Sequence, residues 1–190
     1  MPKTYRLFIA ITLPREAQMS LAEIQRRLSP LKAVRWTKFT LIHLTLQFLG
    51  DTPTTLLPEL SAALTDAVSG LPPFTLSLAT VGTFPNLRRP RIVWAGVTQT
   101  EMLSNLYRAV TTATASVGIP ADKKPFKPHL TIGRVQKWAR GDDFRHIAAT
   151  IEQANIGDIT AFSVEHIALI RSQLTRQGPI YTPEAQISLR

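Results

Sequence analysis

The sequence contains two nearly identical tetrapeptides, HLTL at residues 43–46 and HLTI at residues 129–132, which indicate its fold. Their histidines lie 86 residues apart, and the same offset aligns an apolar segment starting at Leu7 with one starting at Val93. Beyond the tetrapeptides the best offset becomes 88, which a small length change explains. Because nearly identical tetrapeptides stand at the corresponding point of two similar segments, the pattern indicates a duplicated unit.

Hydrophobic periodicity outlines the elements of each unit. Alternating apolar residues predict strands, and apolar residues spaced by three and four predict helices. The predicted strands span residues 5–13, 41–48, 74–81, 91–97, 129–135, 162–170 and 180–189. The predicted helices begin at Pro14, at Thr54, after residue 97, and at a cap formed by Asp142 or Asp143. The Gly50-Asp51 pair is expected to end the second strand.

These elements predict an α+β fold, specifically a bilobal pseudo-two-fold duplication of a β-α-β-α-β lobe. Antiparallel sheets would face a central cleft, with the helices on the outside. Residues 1–190 would form a single domain, with lobe-forming repeats at approximately 5–82 and 91–170 and a final strand at 180–189.

Composition restricts the class of protein. Of the 190 residues 44% are apolar, which is typical of a globular chain, and no run of eighteen apolar residues predicts a membrane span. The chain has no cysteine, which excludes disulfides, thiolate nucleophiles and cysteine-ligated zinc. The short apolar stretch near the N-terminus resembles a strand more than a signal peptide. We therefore expect a cytoplasmic protein that functions as a monomer.

The chain is strongly basic. It holds 22 Lys and Arg against 13 Asp and Glu, a formal net charge of +9. Such a charge attracts polyanions, most commonly the phosphates of nucleic acids, although it can also serve solubility. Six basic residues precede the tetrapeptides, three before each: Lys32, Arg35 and Lys38, then Lys123, Lys124 and Lys127.

Each tetrapeptide forms one polar face on its strand. Successive side chains of a strand point to opposite faces, so His43 and Thr45 share one face, and His129 and Thr131 share the equivalent face. A two-fold relation between the lobes would place the two histidines on opposite sides of one cleft. Without the duplication each motif would be weak evidence for a catalytic site, since a lone histidine is more often a packed or surface residue.

Two histidines across a cleft suit in-line displacement at a phosphodiester. The reference pKa of histidine, about 6.5, makes both protonation states available near neutral pH, so one imidazole can accept a proton while the other donates one. The threonine hydroxyls, with nearby backbone N–H groups, could hold the non-bridging oxygens. The local sequence has none of the carboxylates of a metal phosphatase, so we expect no metal ion and no cofactor.

The sequence resembles the 2H phosphoesterases and, among them, the RNA 2′,3′-cyclic phosphodiesterases, also called 2′-5′ RNA ligases. The resemblance covers nearly the whole chain. It depends on four segments, RLFIAI at 6–11, HLTLQFLG at 43–50, PRIVW at 90–94 and FKPHLTIGR at 126–134. It implies opening of a 2′,3′-cyclic phosphate to a 2′-phosphate, with His43 as proton donor to the 3′ oxygen and His129 as proton acceptor from water. The implied partners are RNA ending in a 2′,3′-cyclic phosphate, such as tRNA fragments, or cyclic nucleotides.

The repeat also singles out residues that differ between its two copies. Phe48 and Arg134 each follow their histidine by five residues. Arg134 is suited to a phosphate and Phe48 to stacking on a base, but strict alternation would place both on the face opposite the histidines. A bulge at Gly133 would turn Arg134 to the histidine face. For Phe48, a location in the site and one in the core are equally consistent with the sequence.

Other residues near the motifs have weaker assignments. Lys127 is expected to meet the RNA backbone. The equivalent aromatic residues Phe8 and Trp94 are expected to pack in the core rather than line the cleft. His166, which belongs to no motif, is expected to be structural.

Two alternative functions stay open at this point. The related reaction, in which a ribose hydroxyl replaces water, would join RNA ends by a 2′-5′ linkage. A non-catalytic RNA- or nucleotide-binding module is the other alternative, although binding alone does not require two mirrored titratable groups.

Overall fold

The described part of the chain is residues 3–98, 100–154 and 161–190 of this computed structural model, and it forms an α+β fold. Its strands are β1 (Thr4–Thr12), β2 (Val34–Trp36), β3 (His43–Pro53), β4 (Phe74–Phe84), β5 (Ile92–Val97), β6 (His129–Val135), β7 (Ala161–Val164), β8 (His166–Thr175) and β9 (Gly178–Ser188). Its helices are α1 (Arg15–Arg27), α2 (Leu57–Val68), α3 (Glu101–Ser116) and α4 (Gly141–Glu152). Short 3-10 turns precede β3 at Phe39–Leu41 and α2 at Thr54–Leu56.

The strands form an antiparallel sheet whose order is symmetric about its centre. The order is β7-β4-β5-β6-β3-β1-β8-β9, and β2 pairs with β6 beside this path. The two tetrapeptide strands, β3 and β6, are the central neighbours. We call β3, β1, β8 and β9 the first half-sheet, and β6, β5, β4 and β7 the second half-sheet. The prediction of an antiparallel α+β fold with pseudo-two-fold symmetry is confirmed.

Each half-sheet contains a strand from the other sequence repeat. β4 pairs with β5, although β4 belongs to the first repeat, and β8 of the second repeat pairs with β1. β7 and β8 are separated only by Glu165, yet they lie near opposite ends of the strand order. The sheet must therefore curl, because one residue joins its terminal strand β7 to β8, the strand next to its other end.

One face of the sheet is covered and the other is open. Core strand positions such as Ile9, Leu44 and Leu130 share one buried cluster with the apolar stripes of all four described helices. A second, smaller cluster lies on the opposite face and consists of Phe8, Ala10, Ala168 and Ile170, with Tyr181 against it. The helices thus lie outside the curl, as expected, and the open face lies inside it.

The two expected sheets are joined into one. Leu44 and Leu130 are cross-strand partners, so β3 and β6 connect the half-sheets directly. The comparison of repeats could not foresee this pairing, because an internal offset aligns equivalent residues but says nothing about contacts between the copies.

Several predicted boundaries were wrong for identifiable reasons. β3 continues past the glycine expected to end it: Gly50 adopts a φ of 68° beside a register shift, and pairing resumes as far as Pro53. Strand 162–170 is interrupted at Glu165, where the chain leaves β4 and joins β1. The strand β2 was missed, because three residues are too few for a periodic signal.

The start of α4 also differs from the expectation. Arg140 occupies the N-cap, and its backbone N–H donates to the carboxylate of Asp143 at 2.9 Å. Asp143 therefore belongs to the capping arrangement from within the first turn rather than as the cap itself.

Candidate active site

The four polar residues of the tetrapeptides lie together at the centre of the sheet. The antiparallel pairing of β3 with β6 places His43 level with Thr131, and Thr45 level with His129. Directly opposed residues of an antiparallel pair share a face, with Cβ atoms about 4.5–5.5 Å apart. All four side chains are partly exposed, whereas their leucine neighbours are fully buried. The geometry brings together the four residues that the sequence predicted to meet.

Both imidazoles are oriented by the same type of hydrogen bond. Nδ1 of His43 lies 2.9 Å from the carbonyl oxygen of Leu41, and Nδ1 of His129 lies 2.7 Å from that of Lys127. A carbonyl oxygen only accepts, so Nδ1 carries the proton in each ring and donates it. The Nε2 atom is therefore the position where each imidazole can gain or lose a proton.

His43 lies in an aromatic enclosure on the first half-sheet. The ring of Phe8 is 4.7 Å from the imidazole, and Tyr181 of β9 meets it edge-on at 5.2 Å and 86°. Burial lowers the pKa of His43 below its usual value, and the nearby charge of His129 lowers it further, while the bond to Leu41 acts in the opposite direction. Phe8 is buried as expected, but it packs beneath the histidine rather than in the main core.

His129 has a different aromatic neighbour. Phe84 meets its imidazole edge-on at 4.9 Å and 89°, and Trp94 lies 5.3 Å from Phe84. The indole lies across the backbone of Gly82, where an added Cβ atom would overlap it, and close to Gly96. These glycines leave the room in which Trp94 can lie along the sheet. Trp94 is partly exposed, so it borders the open face.

A β-bulge after each tetrapeptide brings the asymmetric pair onto the histidine face. The register shifts opposite Leu46 in β3 and opposite Ile132 in β6, so two successive residues of each strand face the core. Alternation then resumes with Phe48 and Arg134 exposed, at 61% for Phe48. The core alternative for Phe48 was wrong, and its ring lies 6.1 Å from that of Phe8.

A buried glutamine fastens the second bulge. The amide nitrogen of Gln25, on α1, donates at 2.7 Å to the carbonyl oxygens of both Thr37 and Ile132. Thr37 belongs to the segment before the first tetrapeptide, and Ile132 is the bulged residue of the second. One side chain therefore links a helix, the entry to one motif and the bulge of the other.

A second glutamine makes the corresponding link at the first bulge. Gln47, in β3, donates to the carbonyl oxygen of Pro120 at 3.1 Å and accepts from the hydroxyl of Thr114 on α3 at 2.8 Å. Pro120 begins the segment that leads to the second tetrapeptide. Both motifs are thus fixed by a helix and an entry segment.

The segment before β6 presents positive charge. Lys123, Lys124 and Lys127 are exposed there, and Phe126 stacks on Tyr107 of α3 at 4.1 Å, which anchors the segment. Lys127 also supplies the carbonyl that orients His129, so its backbone is fixed while its side chain is free to approach a ligand.

His166 lies closer to the site than expected. Its Nε2 is 2.8 Å from the hydroxyl of Thr12, and Thr12 is the cross-strand partner of His43. The bond supports the structural role expected for His166, but on the open face of β8 rather than in a separate region.

Sequence reasoning missed Tyr181 beside His43 and Phe84 beside His129. Tyr181 and Phe84 come from strands far from either tetrapeptide, and no spacing rule connects them. Trp94 was named, but its expected place in the core was wrong: it is partly exposed and lies along the open face, in the room left by Gly82 and Gly96.

Metal-ligand clusters and membrane-spanning helices are both absent from the described residues. Among residues 3–98, 100–154 and 161–190, no group of three or more His, Asp or Glu side chains is arranged to hold a metal ion. Over the same residues, no helix is long and apolar enough to cross a membrane.

The sequence is similar to one protein family and to several known proteins. Residues 13–176 match the 2′-5′ RNA ligase superfamily. The RNA 2′,3′-cyclic phosphodiesterase of Methanothermobacter thermautotrophicus is 32% identical over 93% of this chain and 95% of its own length. That of Aquifex aeolicus is 30% identical over 95% of both chains.

Solved structures agree with this relationship. TT0787 of Thermus thermophilus matches with a TM-score of 0.81 and 30% identity, over 97% of this chain and 98% of that one. E. coli LigT complexed with 3′-AMP matches with a TM-score of 0.80 and 27% identity, over 98% of both chains. The chain therefore belongs to the 2′-5′ RNA ligase superfamily and, within it, to the RNA 2′,3′-cyclic phosphodiesterase family, a family of phosphodiesterase enzymes.

Proposed function

We propose that this protein hydrolyses the terminal 2′,3′-cyclic phosphate of RNA to a 2′-phosphate by two-histidine acid–base catalysis. The observation that carries the proposal is the matched orientation of the two imidazoles. Each is held through Nδ1 by a carbonyl, and each leaves Nε2 for proton transfer beside the threonine of the other motif.

The roles of the histidines follow the family assignment. Nε2 of neutral His129 takes a proton from water as the water oxygen bonds to phosphorus. The bond between phosphorus and the 3′ oxygen breaks, and protonated His43 donates its Nε2 proton to that oxygen. The products are a 2′-phosphomonoester and a free 3′-hydroxyl, so atoms and charges balance without a metal ion.

The lowered pKa of His43 bears on its role as the acid. A lowered pKa makes the protonated imidazole a stronger acid but less abundant at neutral pH in the free protein. Binding of an anionic phosphate favours the protonated form. Substrate would therefore charge the histidine that has to donate.

The remaining residues hold the substrate. In the described part of the chain neither Thr45 nor Thr131 has a hydrogen-bond partner for its hydroxyl, so both can donate to the non-bridging oxygens. The guanidinium of Arg134 is suited to the phosphate, the exposed ring of Phe48 to the terminal base, and Lys127 to the RNA backbone. The complexes of E. coli LigT with 3′-AMP and ATP support a nucleotide ligand.

The test is an RNA ending in a 2′,3′-cyclic phosphate, incubated with EDTA. Wild-type protein should release product with a 2′-phosphate, and His43→Ala or His129→Ala should each lower the rate by about 100-fold or more, because each removes one acid or base. His146→Ala, at an exposed position of α4, is the matched control and should keep full activity.

The rate should also depend on pH with a bell shape, since one imidazole must be neutral and the other charged. Full activity of either histidine variant contradicts the mechanism, and loss of wild-type activity in EDTA contradicts metal independence. Binding without turnover would favour a non-catalytic module. The superfamily's description also favours a second candidate, ligation, which would appear as a 2′-5′ linkage when an RNA with a 5′-hydroxyl is added.

A further inference from the structure

The short strand β2 brings a second arginine beside Arg134. β2 lies along β6 beyond the point where β3 pairs with it, and Arg35 is the cross-strand partner of Arg134. Such partners share a face, with Cβ atoms about 4.5–5.5 Å apart. The sequence presented Arg35 only as one of several basic residues before the first tetrapeptide.

The orientation of β2 places both arginines on the open face. Val34 and Trp36 occupy the space next to Gly133, where an added Cβ would lie 2.6 Å from Val34 and 3.0 Å from Trp36. Arg35 alternates with these two residues and therefore points the opposite way, as Arg134 does after its bulge. Both arginine side chains are exposed.

The charge of this pair is not compensated by the protein. Within residues 3–98, 100–154 and 161–190, the ion pairs involve other arginines, and neither Arg35 nor Arg134 meets a carboxylate. Like charges on directly opposed strand positions destabilise a sheet. Anionic groups of one ligand, bound beside each guanidinium, would offset that cost and gain charge-assisted hydrogen bonds.

Arg134 extends toward the first histidine. It lies three residues beyond Thr131, the position level with His43, which at about 3.3 Å per residue is roughly 10 Å along the strand. Burial raises the pKa of Tyr181 and the charge of Arg134 opposes that rise, which places the guanidinium near a residue that packs on His43. One long side chain can reach back toward the histidines. The second arginine is left for a group farther along the ligand.

We propose that Arg35, next to Arg134, binds an internucleotide phosphate upstream of the cyclic end, so that the site prefers oligonucleotides to cyclic mononucleotides. The proposal rests on the proposed function, because it extends the same site along the RNA. A cyclic mononucleotide has no such phosphate and cannot use Arg35.

The test compares two substrates, 2′,3′-cyclic AMP and a short oligoadenylate ending in a 2′,3′-cyclic phosphate. Arg35→Gln should lower kcat/KM for the oligonucleotide about tenfold, mainly through KM, and leave cyclic AMP unchanged, because one charged hydrogen-bonding partner is lost. It should also reduce the salt dependence of oligonucleotide binding by about 0.7 in the logarithmic slope. Arg15→Gln, at an exposed arginine that begins α1, is the matched control.

Binding of the same oligonucleotide with a 2′-phosphate end, followed by fluorescence anisotropy, separates this proposal from the proposed function. If wild type hydrolyses neither substrate, the proposed reaction fails, but weaker binding by Arg35→Gln alone still supports the phosphate contact. Equal losses on both substrates, or no loss of oligonucleotide binding, overturn it.

Discussion

The two histidines share one hydrogen-bonding arrangement but have different surroundings. His43 packs between Phe8 and Tyr181, and burial lowers its pKa. His129 meets only the edge of Phe84 among the aromatic contacts of the described residues. An acid and a base can therefore arise from two copies of one motif, because the packing around each copy has diverged.

His43 should titrate below the reference value of about 6.5 in the free protein. Adding a nucleoside 2′-phosphate should raise that pKa, since a nearby anion favours the charged imidazole. Phe8→Ala should also raise it in the free protein by admitting water. NMR titration of the imidazole signals measures all three values, with assignment from a His43→Gln spectrum. If the pKa of His43 does not change when the nucleoside 2′-phosphate is added, His43 does not lie at the phosphate.

Among single residues, the sequence predicted those that belong to the duplicated motif. The histidines and threonines could be predicted because a duplicated motif fixes their number and their common face. Phe48 could not be assigned, since one bulged residue reverses the outcome of strict alternation. Tyr181 and Phe84 could not be found, because their proximity to the histidines depends on which strands become neighbours.

At the element scale, the bulges and their glutamine bonds determine which side chains reach the site. Gln25 donates to the carbonyl of Thr37, before β3, and to that of Ile132, at the bulge of β6. These bonds fix the backbone of the bulge, and the bulge determines the direction of the Arg134 side chain. The apolar stripe of α1 predicted the helix, but gave no reason to expect a buried polar neighbour to that stripe. The position of Gln25 becomes meaningful only once β6 is known to pass beneath the helix.

Gln25→Leu should destabilise the fold by about 1–3 kcal/mol, because the Thr37 carbonyl loses its bond to the amide and the buried Ile132 carbonyl keeps only the N–H of Thr37. It should also raise KM by displacing Arg134. Urea unfolding and steady-state kinetics measure the two effects. Gln18→Leu, on the same helix with a single bond to Leu13, is the control and should leave KM unchanged.

A double variant tests whether Gln25 acts on KM through Arg134. If Gln25 positions the arginine, Gln25→Leu should raise KM much less in an Arg134→Ala background than in wild type, because coupled residues are not additive. Fully additive effects would show that Gln25 acts on the fold alone.

At the scale of the whole molecule, we propose that residues 1–190 form one domain whose repeats fold together. β4 completes the second half-sheet and β8 completes the first, so each repeat depends on the other for strand neighbours. The internal offset predicted the symmetry of the halves. It could not predict this exchange, since similarity between copies carries no information on how the copies pair.

Division of the chain between Leu87 and Arg88 should therefore give two fragments that do not fold alone. Mixed together, fragments 1–87 and 88–190 should recover circular dichroism and activity. Full-length protein cut at an inserted protease site in the same exposed turn should stay active and serves as the control. Cooperative unfolding by either isolated fragment would contradict this dependence.

The exchange of strands also bears on ancestry. An ancestor of one repeat could have filled both half-sheets only as a homodimer, in which the positions of Phe48 and Arg134 would have held the same residue. Its cleft would have treated both ends of a ligand alike. Duplication and fusion of such an ancestor would remove that constraint, because mutations could then accumulate in one copy without appearing in the other. Only after such a fusion could the cleft bind a base at one end of a ligand and a phosphate chain at the other.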